Sequence, residues 1–198
     1  MKDFWESRYQ SNDFAYGKTP NLFFKDTIDQ LEPGKIFLPG EGEGRNAVYA
    51  AESGWTVEAM DLTEAGRKKA LQLASDSRVN ITYKTGDLLN YHLEPETYDF
   101  IALIYLHMPP SVRTTIHRKL LEALKKSGVL ILEAFTKKQM GQLTGGPQNL
   151  DMLFDESILR SDFQGLSIES LYETEQVLNE GPFHQGKSYQ IRMIARKS

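Results

Sequence analysis

The sequence contains no cysteine. Disulfides, thiolate-held zinc and cysteine nucleophiles are therefore excluded. Long apolar runs are missing too: none approaches the roughly 18 residues of a membrane-spanning helix. The opening residues, Met1-Lys2-Asp3-Phe4-Trp5-Glu6, lack the apolar core of a signal peptide. A basic excess is also absent. The 23 Lys+Arg stand against 27 Asp+Glu, for a formal net charge of −4, which disfavours a nucleic-acid surface. Only four histidines occur, with no repeated His–carboxylate spacing, so no metal site is expected. There is no internal repeat and no low-complexity tract. The expectation is one cytoplasmic domain over 1–198, off the membrane, long enough for a substantial core.

What is present centres on Ile36-Phe37-Leu38-Pro39-Gly40-Glu41-Gly42-Glu43-Gly44-Arg45-Asn46. An apolar run enters three glycines at alternate positions, and a helix-like stretch, Ala47 to Glu52, follows until Gly54. This reads as strand, tight turn, helix. Glycine lacks a Cβ, so it tolerates positive φ and lets a ligand approach the backbone. Doubly wound folds bind nucleotides at such a turn. A second apolar run, Thr56 to Met60, ends at Asp61, 17 residues after Gly44. A carboxylate there can accept both hydroxyls of a ribose.

The rest of the chain fits an α/β alternation. Thr19-Pro20 reads as a helix cap and first turn, with Phe24, Ile28 and Leu31 at helical spacing until Pro33-Gly34. Thr63 caps a helix through about Ser75, leaving Lys68 and Lys69 on a solvated face. Strands are expected at Val79–Tyr83, Asp99–Leu106 and Val129–Phe135. Between the last two, a helix after Pro110 runs to Ser127-Gly128. Residues 136–154 look irregular, and a short helix near Glu156–Phe163 follows. Two β-like runs, Ser167 to Val177 and Ser188 to Ala195, should close an antiparallel hairpin at the sheet edge. The architecture predicted is a doubly wound, Rossmann-like α/β fold with helices on both faces of a mostly parallel sheet. Its parts are an N-terminal lid and helix (1–34), a cofactor-binding core (35–135), and an acceptor-side loop and hairpin (136–198). Phe4, Trp5, Tyr9, Phe14 and Tyr16 make residues 1–19 unusually aromatic. They read either as a packed helix or as a lid excluding water from a small-molecule site.

Two cofactors suit the turn. Gly42-Glu43-Gly44-Arg45-Asn46-Ala47 matches the relaxed Gly-x-Gly-x-x-Ala form, and Asp61 lies 19 residues past Gly42, which admits an NAD-dependent oxidoreductase. Against that reading, Glu41 and Glu43 put carboxylates where a pyrophosphate would sit. A helical preamble precedes the first strand, and Gly86-Asp87-Leu88 offers a further acid suited to an adenine amino group. S-adenosylmethionine carries no phosphate and needs its ribose and adenine held by carboxylates and backbone.

At these residues the chain resembles the class I S-adenosylmethionine-dependent methyltransferases. Gly40 to Gly44 matches the family's glycine loop, Asp61 its ribose acid, Asp87 its adenine-side acid, and Asp99 to Tyr105 its fourth strand. The family's usual acid two residues before the first glycine is Leu38 here. The resemblance implies seven strands, the last inserted antiparallel. It also implies a cofactor-contacting set of Tyr16, Gly40, Glu41, Gly42, Gly44, Arg45, Asp61, Leu62, Asp87, Leu88 and Ile104. Trp5-Glu6-Ser7-Arg8-Tyr9 and Tyr16-Gly17-Lys18-Thr19-Pro20-Asn21 look like the N-terminal region of the tellurite-resistance and thiopurine methyltransferase-like group. That group implies a small, soft acceptor such as a thiol or a chalcogen oxyanion. A non-catalytic S-adenosylmethionine-binding regulator is the remaining alternative. The expected partner is a small molecule, and the expected state a monomer or weak homodimer.

Methyl transfer from a sulfonium is an in-line displacement, so the protein mainly aligns donor and acceptor. An ionised soft nucleophile needs no base, whereas an amine or hydroxyl does. His107, after the fourth strand, and His184, in the final hairpin's connection, are the catalytic candidates. A structural histidine before Pro109 and an exposed turn residue are their respective alternatives. Lys187 offers a cation near His184, where the resembling group has an arginine and this chain has Gln185. His92 and His117 read as surface residues, and Glu133 as a strand-end carboxylate.

Overall fold

A computed structural model describes every residue, Met1–Ser198. Seven strands form one sheet: β1 (Lys35–Pro39), β2 (Thr56–Asp61), β3 (Thr82–Thr85), β4 (Tyr98–Ile104), β5 (Leu124–Phe135), β6 (Leu166–Asn179) and β7 (Gln185–Lys197). Their order is β3-β2-β1-β4-β5-β7-β6. The pairs β1–β2, β2–β3 and β4–β5 are parallel. The β5–β7 and β6–β7 pairs are antiparallel. Six helices flank the strands: α1 (Lys2–Tyr9), α2 (Leu22–Ile28), α3 (Arg45–Glu52), α4 (Glu64–Asp76), α5 (Pro110–Ala123) and α6 (Glu156–Asp162). This is the expected Rossmann-like sheet with its C-terminal hairpin.

The chain forms two compact units. One comprises Met1–His92 with Glu180–Phe183, the other Leu93–Asn179 with His184–Ser198. In the first, Ile36, Phe37 and Leu38 of β1 and Ala59 and Met60 of β2 are buried. In the second, Phe100 to Leu103 and Val129 to Leu132 bury the near-continuous apolar runs of β4 and β5. Each such Val, Leu, Ile or Phe gains about 1.5–3 kcal/mol on burial, which sets the register of both central strands.

Local chemistry explains where the elements start and stop. Thr63 caps α4 as expected, its Oγ1 accepting from the Gly66 N–H. Elsewhere the boundaries move. Asn21, not Thr19, caps α2: its side chain accepts from the Phe24 N–H at 2.9 Å. The third strand begins at Thr82 rather than Val79. Ala74 takes the Val79 N–H on its carbonyl, so residues 77–79 close the end of α4. Helix α5 stops at Ala123, and β5 begins at once at Leu124, so Ser127-Gly128 lies inside the strand. Ser127 has φ 61°, and the β4–β5 register shifts there. The glycine signal marked a bend in a strand, not the end of a helix. Residues 136–154 contain two single-turn 3-10 segments, Lys137–Gln139 and Leu150–Met152.

Candidate methyl-donor and acceptor sites

The glycine turn leaves β1 and enters α3 within the first unit. Glu41 folds back over the start of that helix. One carboxylate oxygen accepts from the N–H groups of Asn46 and Ala47, both at 2.8 Å. The other receives the Asn46 side-chain amide at 3.4 Å. The amide dipoles that would attract a phosphate are thus already answered by a carboxylate of the chain itself. Burial pushes the Glu41 carboxyl up to about 7, against the pull of those donors. Glu43 is buried and accepts from the Ala15 N–H and from Lys69 Nζ, each at 2.7 Å. Lys69 is therefore half-buried and tied to this turn, not a solvated lysine.

Gly44 shows why the turn needs glycine. Its φ is 90°, and a Cβ there would stand 2.5 Å from the Ala70 Cβ of α4. Its role is to let α3 and α4 approach. Gly40 donates its N–H to the Met60 carbonyl at 2.8 Å. Gly42 donates to Asp61 Oδ2 at 3.2 Å. Asp61 Oδ1 accepts from the N–H and the hydroxyl of Thr63, at 3.0 and 2.7 Å. Burial raises the Asp61 pKa against these bonds. Both oxygens are oriented by the fold, and a carboxylate has lone pairs beyond these three bonds. Leu62, beside it, is half-buried. Asp87 is exposed and caps its own turn through the Leu89 N–H at 2.9 Å, while Leu88 is buried beneath.

The N-terminal segment is seated on this turn. The Glu6 carboxylate accepts from the N–H groups of Glu64 and Ala65 at 2.9 and 3.0 Å, capping α4 from outside. The Tyr9 ring packs on Gly42. Arg8 lies over the Phe183 and Phe4 rings, 4.0 and 4.6 Å from their centroids, and donates to the Tyr16 hydroxyl at 3.0 Å. Arg45 is buried, donating to the Tyr16 carbonyl and to Glu180, both at 3.0 Å. Arg45 and Tyr16, expected to touch cofactor, thus meet each other and tie the N-terminal segment to residues 180–183.

The second unit holds the acceptor-side candidates. Ile104 ends β4 and is half-buried. Tyr105 follows with φ 53°, a conformation that costs a non-glycine residue about 1–2 kcal/mol. Its ring stacks on Phe135 at 4.7 Å, and His184 meets both rings edge-on, at 4.7 and 5.4 Å. His184 is 5% exposed, so it is a buried side chain rather than an exposed turn residue. The Thr144-Gly145-Gly146-Pro147 segment lies against it. A Cβ at Gly145 would stand 2.6 Å from the His184 ring. Gln139, fully buried, fixes that segment by donating to Thr144 Oγ1 and the Gly145 carbonyl at 2.9 and 3.0 Å.

His107 is held at both ring nitrogens. Nδ1 lies 2.7 Å from the Met152 carbonyl and so carries the proton, while Nε2 accepts the Phe135 N–H at 3.2 Å. Burial lowers its pKa to about 4, so the ring is neutral. The geometry is that of the structural alternative. Lys187 turns away to pair with Glu175 at 2.8 Å on the exposed hairpin. His117 corrects the surface reading: it is 1% exposed, 2.9 Å from Asp162, which also receives Arg113 Nε at 2.7 Å. Glu133 is buried and paired with Arg192. His92 is exposed, as expected.

Sequence reading missed three polar anchors: Glu6, Tyr83 and Gln139. Each acts on backbone distant in sequence, for which local pattern carries no signal: Glu6 on Glu64 and Ala65, Tyr83 on the Gly42 carbonyl, and Gln139 through Oε1, which accepts the Tyr189 N–H at 3.0 Å.

The family profile described as a methyltransferase domain matches residues 38–128. No curated protein matches the chain. Several solved structures do. One, from work on conversion of a disulfide bond into a thioacetal group during echinomycin biosynthesis, is 15% identical with TM-score 0.82, over all of this chain and 92% of its own. TehB from Haemophilus influenzae is 19% identical with TM-score 0.74, over all of this chain and 67% of its own. Magnesium protoporphyrin IX methyltransferase from Synechocystis PCC 6803, with bound S-adenosylhomocysteine, is 20% identical with TM-score 0.70, over 100% and 98%. At these identities the likeness is one of fold. Residues 38–128 match the methyltransferase-domain profile, and the chain as a whole has the fold of solved S-adenosylmethionine-dependent methyltransferases.

Proposed function

We propose that this protein uses S-adenosylmethionine to methylate a small-molecule acceptor, of the soft thiol or chalcogen-oxyanion kind. The observation that carries the donor assignment is Glu41 on the first turn of α3. A pyrophosphate would need those same N–H groups and would meet the half-buried Glu41 carboxylate. A phosphate-free nucleoside needs only Asp61 for its ribose and an acid such as Asp87 for its adenine. This favours the sulfonium cofactor over NAD.

When bound, the cofactor supplies a methyl group on a positively charged sulfur. The chain's part is alignment and exclusion of water. Asp61 is pre-set by Thr63 and Gly42, and the aromatic N-terminal segment covers the turn. On the acceptor side, Tyr105, Phe135 and His184 present ring surface, with His184 as the polar member. His107 has both nitrogens engaged and so serves as a pin rather than a base. A scarcity of free bases suits an acceptor that arrives ionised. Asp61 and Asp87 would hold the nucleoside and the bound sulfonium would supply the methyl group, so a thiolate acceptor would ask no proton transfer of the chain. The related fold from the disulfide-to-thioacetal work and the TehB fold add weight to a soft acceptor.

Incubation with methyl-labelled S-adenosylmethionine and a panel of hydrosulfide, small thiols, selenite, tellurite and amines tests this. Label should appear on a sulfur, selenium or tellurium acceptor. Label on amines alone would overturn the soft-acceptor reading. On a productive acceptor, His184→Ala should lower turnover by about tenfold or more through lost alignment of the acceptor, with little change in S-adenosylhomocysteine binding.

A further inference from the structure

We propose that Tyr83 is a positioning residue for the cofactor, its hydroxyl locking the turn that orients Asp61. The inference rests on the cofactor reading above. Tyr83 is the one buried residue of β3, 6% exposed, paired across the sheet with Ala59. Its O–H donates to the Gly42 carbonyl at 2.6 Å. On the other side of the same Cα, the Gly42 N–H donates to Asp61 Oδ2 at 3.2 Å. The two bonds hold the two peptide planes that flank Gly42. They therefore fix φ and ψ at the most mobile residue type in the turn. Thr63 clamps the opposite oxygen of Asp61. The result is a continuous chain, Tyr83 to Gly42 to Asp61 to Thr63, in which each polar group is satisfied by the next.

A phenylalanine would fill the same space. The hydroxyl is thus an added polar group in a buried setting, which costs stability unless bonded. Its bond goes to the backbone of the cofactor turn, where preorganisation raises affinity by reducing the ordering that binding would otherwise require. The phenol also keeps its proton. Burial and the nearby Asp61, Glu41, Tyr9 and Glu43 hold its pKa well above the ordinary value. It remains a donor across the physiological range.

The test is a double-mutant cycle read by S-adenosylhomocysteine calorimetry on wild type, Tyr83→Phe, Asp61→Asn and the double variant. Tyr83→Phe should weaken binding about 5- to 20-fold, the scale of one buried hydrogen bond. The double variant should bind no more weakly than Asp61→Asn alone, because Tyr83 acts through Asp61. A merely structural tyrosine would give additive losses. Unchanged affinity in Tyr83→Phe, or additive losses in the double variant, would overturn the inference and leave the cofactor assignment standing. Wild type that fails to bind S-adenosylhomocysteine would remove both. Amide exchange in the unliganded wild type gives an independent reading: the Gly42 N–H should be protected, and a freely exchanging one would contradict the locked turn.

Discussion

Asp61 carries the sharpest expectation at the level of single residues. If Asp61 holds both ribose hydroxyls, as proposed, its loss removes two charge-assisted hydrogen bonds, worth at most about 1.5–3 kcal/mol each. Asp61→Ala should therefore weaken S-adenosylhomocysteine binding at least about tenfold, with thermal unfolding still cooperative. Unchanged affinity in a folded variant would put the ribose elsewhere. Glu41 gives a pH signature. Its carboxyl is raised from 4.5 to about 7 in the fold, so the folded state favours the protonated form. The stabilisation it contributes is complete below about 4.5 and is lost as pH rises through 7. Glu41→Gln keeps an acceptor for the Asn46 and Ala47 N–H groups without the charge. It should flatten that slope and stabilise by roughly 1–3 kcal/mol at pH 8 relative to pH 4. Denaturant unfolding at the two pH values measures it. His107 runs the other way. Its pKa falls from 6.5 to about 4, so its contribution is present above 6.5 and is lost as pH drops through 4. The single terminal amide of Gln replaces one ring-nitrogen position, so it does not both accept the Phe135 N–H and donate to the Met152 carbonyl as the His107 ring does. His107→Gln should be less stable at pH 7, by about 1–2 kcal/mol, and less acid-sensitive than wild type. A steeper acid limb in the variant would contradict the neutral, Nδ1–H assignment.

Between residue and fold stand the helices that carry the turn. Helix α3 meets α4 at Gly44, where positive φ and the Ala70 Cβ leave no room for a side chain. Gly44→Ala should cost more than about 2 kcal/mol, through strain and displaced packing, while an exposed substitution such as Lys68→Ala changes little. Helix α1 is held by Glu6 on the first N–H groups of α4. Glu6→Ala should cost about 1 kcal/mol and speed hydrogen exchange in residues 1–19. Adding S-adenosylhomocysteine to wild type should slow exchange in the same segment, and equal rates with and without ligand would reduce α1 to a packing element. These elements also mark how far sequence could be read. Thr63, the glycine turn and the hairpin announced themselves because their signals are local: a cap, an alternation, a breaker. Asn21 displaced Thr19 as a cap because its side chain reaches the Phe24 N–H, and Ser127-Gly128 sits in a strand because β4 pairs around the bend. His117 looked like a surface residue because its partner, Asp162, lies 45 residues away. Glu6, Tyr83 and Gln139 went unread for the same reason.

Across the whole molecule, the sheet ordered β3-β2-β1-β4-β5-β7-β6 belongs to a fold that matches a solved methyltransferase over the full chain. The family profile covers residues 38–128, which carry the glycine turn, Asp61 and Asp87. The fold itself does not choose the chemistry. The choice between a methyl donor and a hydride carrier falls to the start of α3, where Glu41 stands in the place of a phosphate. Calorimetry of the wild-type chain against S-adenosylhomocysteine and, separately, NAD tests that choice most directly. Saturable binding of S-adenosylhomocysteine and none of NAD is the expected result. Saturable NAD binding without S-adenosylhomocysteine binding would contradict it.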